Sequence, residues 1–225
     1  INASLCSVFF IDESQRVTLN DIGTVAEIRK WAEKLNSEID EMELLSQFRC
    51  NGSDGYLAWL DEVLEIRNTA NFDMNNIDYD IRIVDSPNEV RNLIIERNKV
   101  RNHSRILAGY CWAWMKEGQN NSAVHDIKIG DFEMSWNLGN TTTFAIDETS
   151  INEVGCIHTS QGLEFDYAGV IIGDDMRYEN GHIVTDFTKR AKTDQSLKGI
   201  KKLYKENPDF ALKEADEIIK NTYRT

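Results

Sequence analysis

The sequence predicts an α/β fold: an open, mainly parallel sheet with helices on both faces. Three observations carry that reading. Residues 5–11 (LCSVFFI) and 168–172 (AGVII) are near-continuous apolar runs of strand length, the pattern of strands covered on both faces. Residues 79–110 read as strand, helix, strand, the unit that joins parallel strands by a right-handed crossover. Between such runs the apolar spacing switches to the helical period.

In chain order, residues 5–11 form the first expected strand, and residues 12–20 are polar. Ile22, Val25, Ile28, Trp31 or Ala32, and Leu35 then recur at helical spacing. Residues 36–41 are a polar, acidic joint, the best candidate for a domain boundary. MELLSQFRC (42–50) reads as a strand, and NGSDG turns the chain into a helix with Tyr56, Leu57, Leu60, Val63 and Leu64 on its apolar face. Residues 79–84 alternate like a strand. Ser86-Pro87-Asn88-Glu89 is a strong helix start, with a cap residue, Pro in the first helical position and Glu three residues after the cap. Residues 105–110 are the following strand. Residues 117–140, rich in Asn and Gly, read as an irregular excursion on the sheet rim, 143–146 as a short strand, and 174–206 as loop-rich. Asn207-Pro208 opens a last helix carrying Leu212, Ala215, Ile218 and Ile219 on one face.

Composition limits the function classes. The 225 residues are 41% hydrophobic and 28% charged, ordinary for a folded chain and too apolar for wholesale disorder. No apolar run reaches the ~20 residues of a membrane helix. The first residues carry no signal peptide and no initiator Met, so the expectation is a cytoplasmic chain cut from something longer. A net charge of -13 argues against a general nucleic-acid coat, but it leaves room for a local basic groove on an acidic body. Cys6, Cys50, Cys111 and Cys156 are far apart, with no C-x-x-C pair and no His at ligand spacing; they read as reduced thiols, and no metal site is expected.

Three segments could carry chemistry. Asp12-Glu13-Ser14-Gln15 follows a strand directly, and the carboxyl end of a strand is where open α/β sheets bind ligands. Two acids and a Gln there suit holding Mg²⁺ through water and sensing a phosphate; the plain alternative is a solvated turn. Gln47-Phe48-Arg49-Cys50-Asn51 places an Arg where it could neutralise a transferring phosphoryl group, or merely stack on Phe48 at the surface. Residues 157–166 (IHTSQGLEFD) pack donors, a glycine and a carboxylate between two strands. His and Thr suit a nucleic-acid backbone and a carboxylate suits a ribose hydroxyl; a structural loop is the alternative. Trp112, Trp114 and Trp136 could stack on bases, although aromatics at such positions are more often core.

Taken together these segments resemble the superfamily-one helicases. FFIDESQR is similar to that group's motif III, LLSQFRCN to motif IV and VGCIHTSQGLEFDYAGVIIG to motif V. More closely, the wording of QFRCNGSDGYLAWLD, AGYCWAW, EVGCIHTSQGLE and EIIKNTYRT resembles a family of prokaryotic proteins with a Schlafen-like DNA/RNA helicase domain, across nearly the whole chain. The pair Asp12-Glu13 also resembles Walker B acids. The 34 residues from Gln15 to Arg49 suit the interval between motifs III and IV, and motif III is preferred.

The resemblance implies a RecA-like fold. Residues 1–38 would be the closing strand and helix of a first RecA-like domain, and 39–225 a second such domain that stops before motif VI. It implies ATP and Mg²⁺ as cofactors of the intact protein and single-stranded DNA or RNA as partner. Arg49 would be the finger on the γ-phosphate. Gln15 would sense that phosphate, with Asp12 orienting it and the metal shell. Glu164 would take the ribose, with Gly162 letting backbone pass close. His158, Thr159 and Ser160 would contact the nucleic-acid backbone, and Gln161 stands where many relatives have Lys. No G-x-x-x-x-G-K-[ST] occurs, so the phosphate cradle must come from another part of the same polypeptide, and this stretch alone is expected not to hydrolyse ATP. The rival classes are a non-hydrolysing binding or regulatory module on the same scaffold, and a metal-dependent nuclease using Glu164, Asp166, Asp174 and Asp175.

Overall fold

The computed structural model describes residues 2–21, 24–43, 54–74, 77, 79–139 and 142–225. Among them five strands, β1 (Ser104–Ala108), β2 (Ile127–Ile129), β3 (Phe132–Trp136), β4 (Glu153–Gly155) and β5 (Tyr167–Ile171), form one sheet in the order β2-β3-β4-β1-β5. The last four are parallel to their neighbours and β2 runs antiparallel to β3. This is an α/β, RecA-like arrangement. A separate hairpin, β6 (Met176–Glu179) with β7 (His182–Thr185), lies beyond β5.

Helix α3 (Pro87–Asn98) starts as its sequence dictates: the Ser86 side chain accepts from the Asn88 amide and Pro87 fills the first turn. It lies across β1 and β5, and its approach is close. A Cβ on Gly169 would stand 2.5 Å from Val90 Cγ1 and 2.9 Å from Ile94 Cγ1. Gly169→Ala must therefore push the helix off the sheet, and a loss of about 1–3 kcal/mol is expected in chemical denaturation; a variant as stable as the parent would mean the helix has slack there. The face that α3 covers carries Ile106 and Val154 in register, with Met134 and Trp136 in the same core. On the opposite face, a Cβ at Gly109 would meet the Tyr223 ring of α6 (Pro208–Arg224), so helices close both sides.

Helix α6 packs its buried Ala211, Ala215, Ile218 and Ile219 against α5 (Ile200–Glu206) and Leu64, which directly follows α2 (Asp54–Val63). Leu212, expected on that buried face, is instead exposed, and Ala211 takes its place. Helix α1 (Val25–Lys34) forms behind a Thr24–Glu27 capping box, yet Val25, Trp31 and Leu35 stay exposed and only Ala32 is buried.

Several expectations need correcting. Residues 5–11 form no strand and pair with none among the described residues, leaving Leu5, Val8 and Phe10 exposed. An apolar run supplies the capacity for burial, while the partner edges must come from elsewhere. Residues 79–84 alternate as expected without joining the sheet; Asp80 and Arg82 pair with each other instead. Residues 143–146 are a turn closed by Ile146 N–H to the Thr143 carbonyl, placing Phe144 in the interior. The supposed irregular stretch 117–140 holds β2 and β3, and the loop-rich stretch 174–206 holds β6, β7 and all of α5. Of the strand expected at 42–50, residues 44–50 lie outside the described residues.

Candidate functional site

Strand β4 ends at Gly155, and Cys156 caps the single turn α4 (Ile157–Ser160), so residues 157–161 sit at the carboxyl end of a central parallel strand. Thr159 fixes that turn. Its hydroxyl donates to Asn137 Oδ1 at the end of β3 and accepts from the Cys156 amide at 3.4 Å. Ser160 is buried, with its hydroxyl turned back to the carbonyls of Cys156 (3.1 Å) and Ile157 (3.2 Å). His158 points outward, its ring 6.0 Å from that of Tyr110. Gly162 adopts φ +82°, a left-handed conformation that disfavours any side chain, with open space where a Cβ would stand. Glu164 is exposed and makes no side-chain hydrogen bond or ion pair among the described residues.

Residues 13–15 form a 3-10 turn that Asp12 caps. One Asp12 oxygen accepts from the Ser14 amide and hydroxyl, and the other accepts from Gln15 Nε2 at 2.6 Å. Burial pushes the Asp12 carboxyl up, but the hydrogen bonds from Ser14 and Gln15 and the nearby Arg224 charge outweigh it and hold the group below its ordinary value. The carboxamide oxygen of Gln15 then accepts from Gln161 Nε2 at 3.5 Å. Residues 146 positions apart thus meet: the fold brings Asp12 and Gln15 to the turn that carries His158 and Thr159.

What pins the 12–15 turn was not read from sequence. Arg16 pairs with Glu214 (2.7 Å) and Glu217 (3.5 Å) on α6, and Asn221 donates to the Arg16 carbonyl. Arg224, also on α6, donates to Ser14 Oγ at 3.3 Å and pairs with Asp61 of α2. Arg16, Asp61 and Arg224 lie far apart in sequence, and no local spacing signals their meeting. The Thr159 hydroxyl, expected to face nucleic acid, is instead engaged in holding its own turn to Asn137 and Cys156. Arg49 lies outside the described residues.

The nuclease carboxylates do not assemble. Asp175 is buried against Arg190 (2.8 Å) and Tyr223 (2.6 Å), while Asp166 pairs with Arg101 and His103. Among the described residues no group of three or more His, Cys, Asp or Glu could hold a metal ion. Cys6, Cys111 and Cys156 are free thiols, and burial raises that of Cys111 to about 12, which suits an inert group. Trp136 is core, as the packing alternative had it. No helix of the described residues is long and apolar enough to cross a membrane.

The family model for the Schlafen group 3, DNA/RNA helicase domain matches residues 1–225. An uncharacterized protein of Saccharomyces cerevisiae, YPL245W, is 26% identical over 156 residues, which cover 62% of this chain and 34% of that protein. The chain thus spans about a third of the length of that curated relative. No solved structure matches.

Proposed function

The chain belongs to the Schlafen group 3 DNA/RNA helicase domain family, and from that premise we propose that it supplies one face of an ATP cleft together with part of a single-stranded nucleic-acid track. The observation that supports this best is the Gln15–Gln161 contact, which sets a phosphate-sensing side chain against the turn carrying His158 and Thr159. With both carboxylate oxygens engaged, Asp12 serves by fixing the Gln15 carboxamide and by lending charge to a metal's water shell, not as a direct ligand. Glu164, exposed and unpaired among the described residues, is free to accept ribose hydroxyls. ATP and Mg²⁺ would enter with a phosphate cradle from another part of the polypeptide. Bound there, the triphosphate would bridge the two faces and favour closure, and cleavage of its terminal bond would release them. Arg49 would meet the charge that develops on the γ-phosphoryl group.

A second reading, a module that grips nucleic acid without turnover, draws on the net charge of -13. One measurement separates them: nucleic-acid-stimulated ATP hydrolysis by the full-length gene product and by its Arg49→Ala variant. A fall in kcat of roughly 10²-fold or more is expected, since arginine fingers in other phosphoryl-transfer sites contribute at least that much. Unchanged turnover removes the finger, and no turnover in the parent favours the binding module.

A further inference from the structure

The charge of this chain is unevenly placed. Residues 189–205 hold seven basic side chains and one acidic one, whereas the other 208 residues hold eighteen basic and thirty-seven acidic. Burial divides the seven. Arg190 is interior, bonded to Asp175, Asp194, Ser196 and Thr222. Lys189, Lys192, Lys198, Lys201, Lys202 and Lys205 are all exposed. Lys202 pairs with Glu206 at a loose 3.8 Å, and Lys189 stands near enough to Asp186 to help lower that carboxyl. Elsewhere the surface cations are commonly tied to acids, as Arg29 is to Glu41 and Lys99 to Glu96. An acidic protein that leaves Lys192, Lys198, Lys201 and Lys205 uncompensated among the described residues holds a patch of positive potential directed at solvent.

The patch adjoins the candidate site at both ends. At its start, the Ala191 amide donates to the carbonyl of Tyr110, whose ring lies beside His158, and Thr193 Oγ1 accepts from the Trp114 amide. Further along, the carbonyls of Ser196 and Lys198 accept from Leu19 and Asn20, just past the Asp12–Gln15 turn. In α5, Lys201 and Lys205 stand one turn apart on the same face, with the half-exposed Tyr204 ring next to them. Lysines in a row, interleaved with the accessible aromatics Trp114 and Tyr204, match the chemistry of a single strand: phosphates on ammonium groups and bases on rings.

We infer that the exposed face of residues 189–205 is a phosphate-tracking surface that extends the nucleic-acid path beyond the His158–Thr159 turn. The inference rests on the nucleic-acid reading above and adds a surface that none of the motifs contains. Its affinity is sequence-independent, because lysine reads charge and not base edges.

The test is fluorescence anisotropy of a labelled oligo(dT) and a labelled oligo(rU) against the full-length gene product, titrated with salt. The triple variant Lys198→Gln/Lys201→Gln/Lys205→Gln changes only exposed side chains, and far-UV circular dichroism checks its fold. The expected result is about 10–100-fold weaker binding at 0.1 M salt, with the log–log salt slope smaller by about 2, since each lost contact removes ~0.7 on a single strand. The control Lys99→Gln/Lys128→Gln is expected to bind as the parent does. Triple-variant binding and slope equal to the parent's, while His158→Ala weakens binding, overturns this surface and leaves the nucleic-acid reading standing. No binding by the parent at 50 mM salt overturns both. Binding to vesicles of 30% phosphatidylserine in phosphatidylcholine, lost in the triple variant while oligonucleotide binding is kept, assigns the patch to a membrane and overturns the proposal.

Discussion

Asp61→Ala is expected to destabilise the protein by about 3–5 kcal/mol, because it removes one side of a charge cluster that the fold has taken out of water. The Asp61 carboxylate is 1% exposed and accepts from Arg67 at 2.7 Å and from Arg224. The two cations differ in consequence. Arg67 reaches solvent and can rehydrate once its partner is gone, whereas Arg224 is mostly covered and would be left with no paired acid, only the weaker pull of the nearby Asp12 carboxylate. Burial raises the Asp61 carboxyl, but the hydrogen bonds and charges of Arg224 and Arg67 more than reverse this and hold it below its ordinary value of 3.8. The sign follows from linkage. A depressed carboxyl contributes its full stability above the unfolded value, near pH 4, and loses it as the pH falls through the lower folded value. Melting of the parent and of Asp61→Asn between pH 2 and 7 should show a constant gap above pH 5 that narrows below pH 4. A gap that persists unchanged to pH 2, or an Ala variant within 1 kcal/mol of the parent, would refute the assignment. The effect should reach the candidate site as well, since Arg224 also holds Ser14, and Ser14 shares the Asp12 oxygen that caps the turn carrying Gln15.

Local rules carried much of this fold. Ser86-Pro87 announced α3 and Asn207-Pro208 announced α6, while the apolar run at 168–172 announced a strand but not its place. Among the described residues β5 ends the sheet, with Ala168, Val170 and Ile172 exposed, where the run suggested a central strand covered on both faces. Each signal is contained within a few residues, so it survives without tertiary knowledge. The β2–β3 hairpin was also legible and was missed. Ile127 and Ile129 alternate with polar residues, Gly130-Asp131 is a two-residue turn with Gly130 at φ +59°, and Phe132 and Met134 resume the alternation. The surrounding Asn and Gly drew the reading towards loop. The reverse error occurred at residues 5–11 and 79–84, where the strand pattern is present but no partner edge is supplied among the described residues. In the site, the sequence pointed to the Asp12–Gln15 and 157–166 segments. It could not show that they touch, nor that α6 holds one of them in place, because those contacts span from 146 to 210 positions.

Arg105→Ala should be comparably damaging, for a different physical reason. Arg105 sits in β1 with 0% exposure and has no carboxylate within ion-pair distance among the described residues. Its five N–H groups are instead all placed against neutral oxygens. Nε donates to the Phe144 carbonyl at 2.8 Å, Nη1 to Ser104 O and Asn98 Oδ1, and Nη2 to Asp147 O and Asn102 Oδ1. Burial, the dominant influence, lowers its proton affinity, with the charges of Asp147 and Glu153 acting against it. A guanidinium remains charged under such pressure, and here the cost of burial is met by a complete set of acceptors. Truncation therefore strands those acceptors in the interior. Interior carbonyls left without donors cost about 1–3 kcal/mol each where water cannot enter, so a loss of roughly 3 kcal/mol or more follows even after partial relaxation. The same bonds tie the 143–147 turn and the end of α3 to the central strand, and Phe144 depends on that turn to fill the space over Gly155. Lysine offers a charge in place of a five-donor fork, so Arg105→Lys should recover less than half of the loss in denaturant unfolding. Full recovery by Lys would show that charge alone matters at this position, and an Ala variant that unfolds like the parent would show that the acceptors find water.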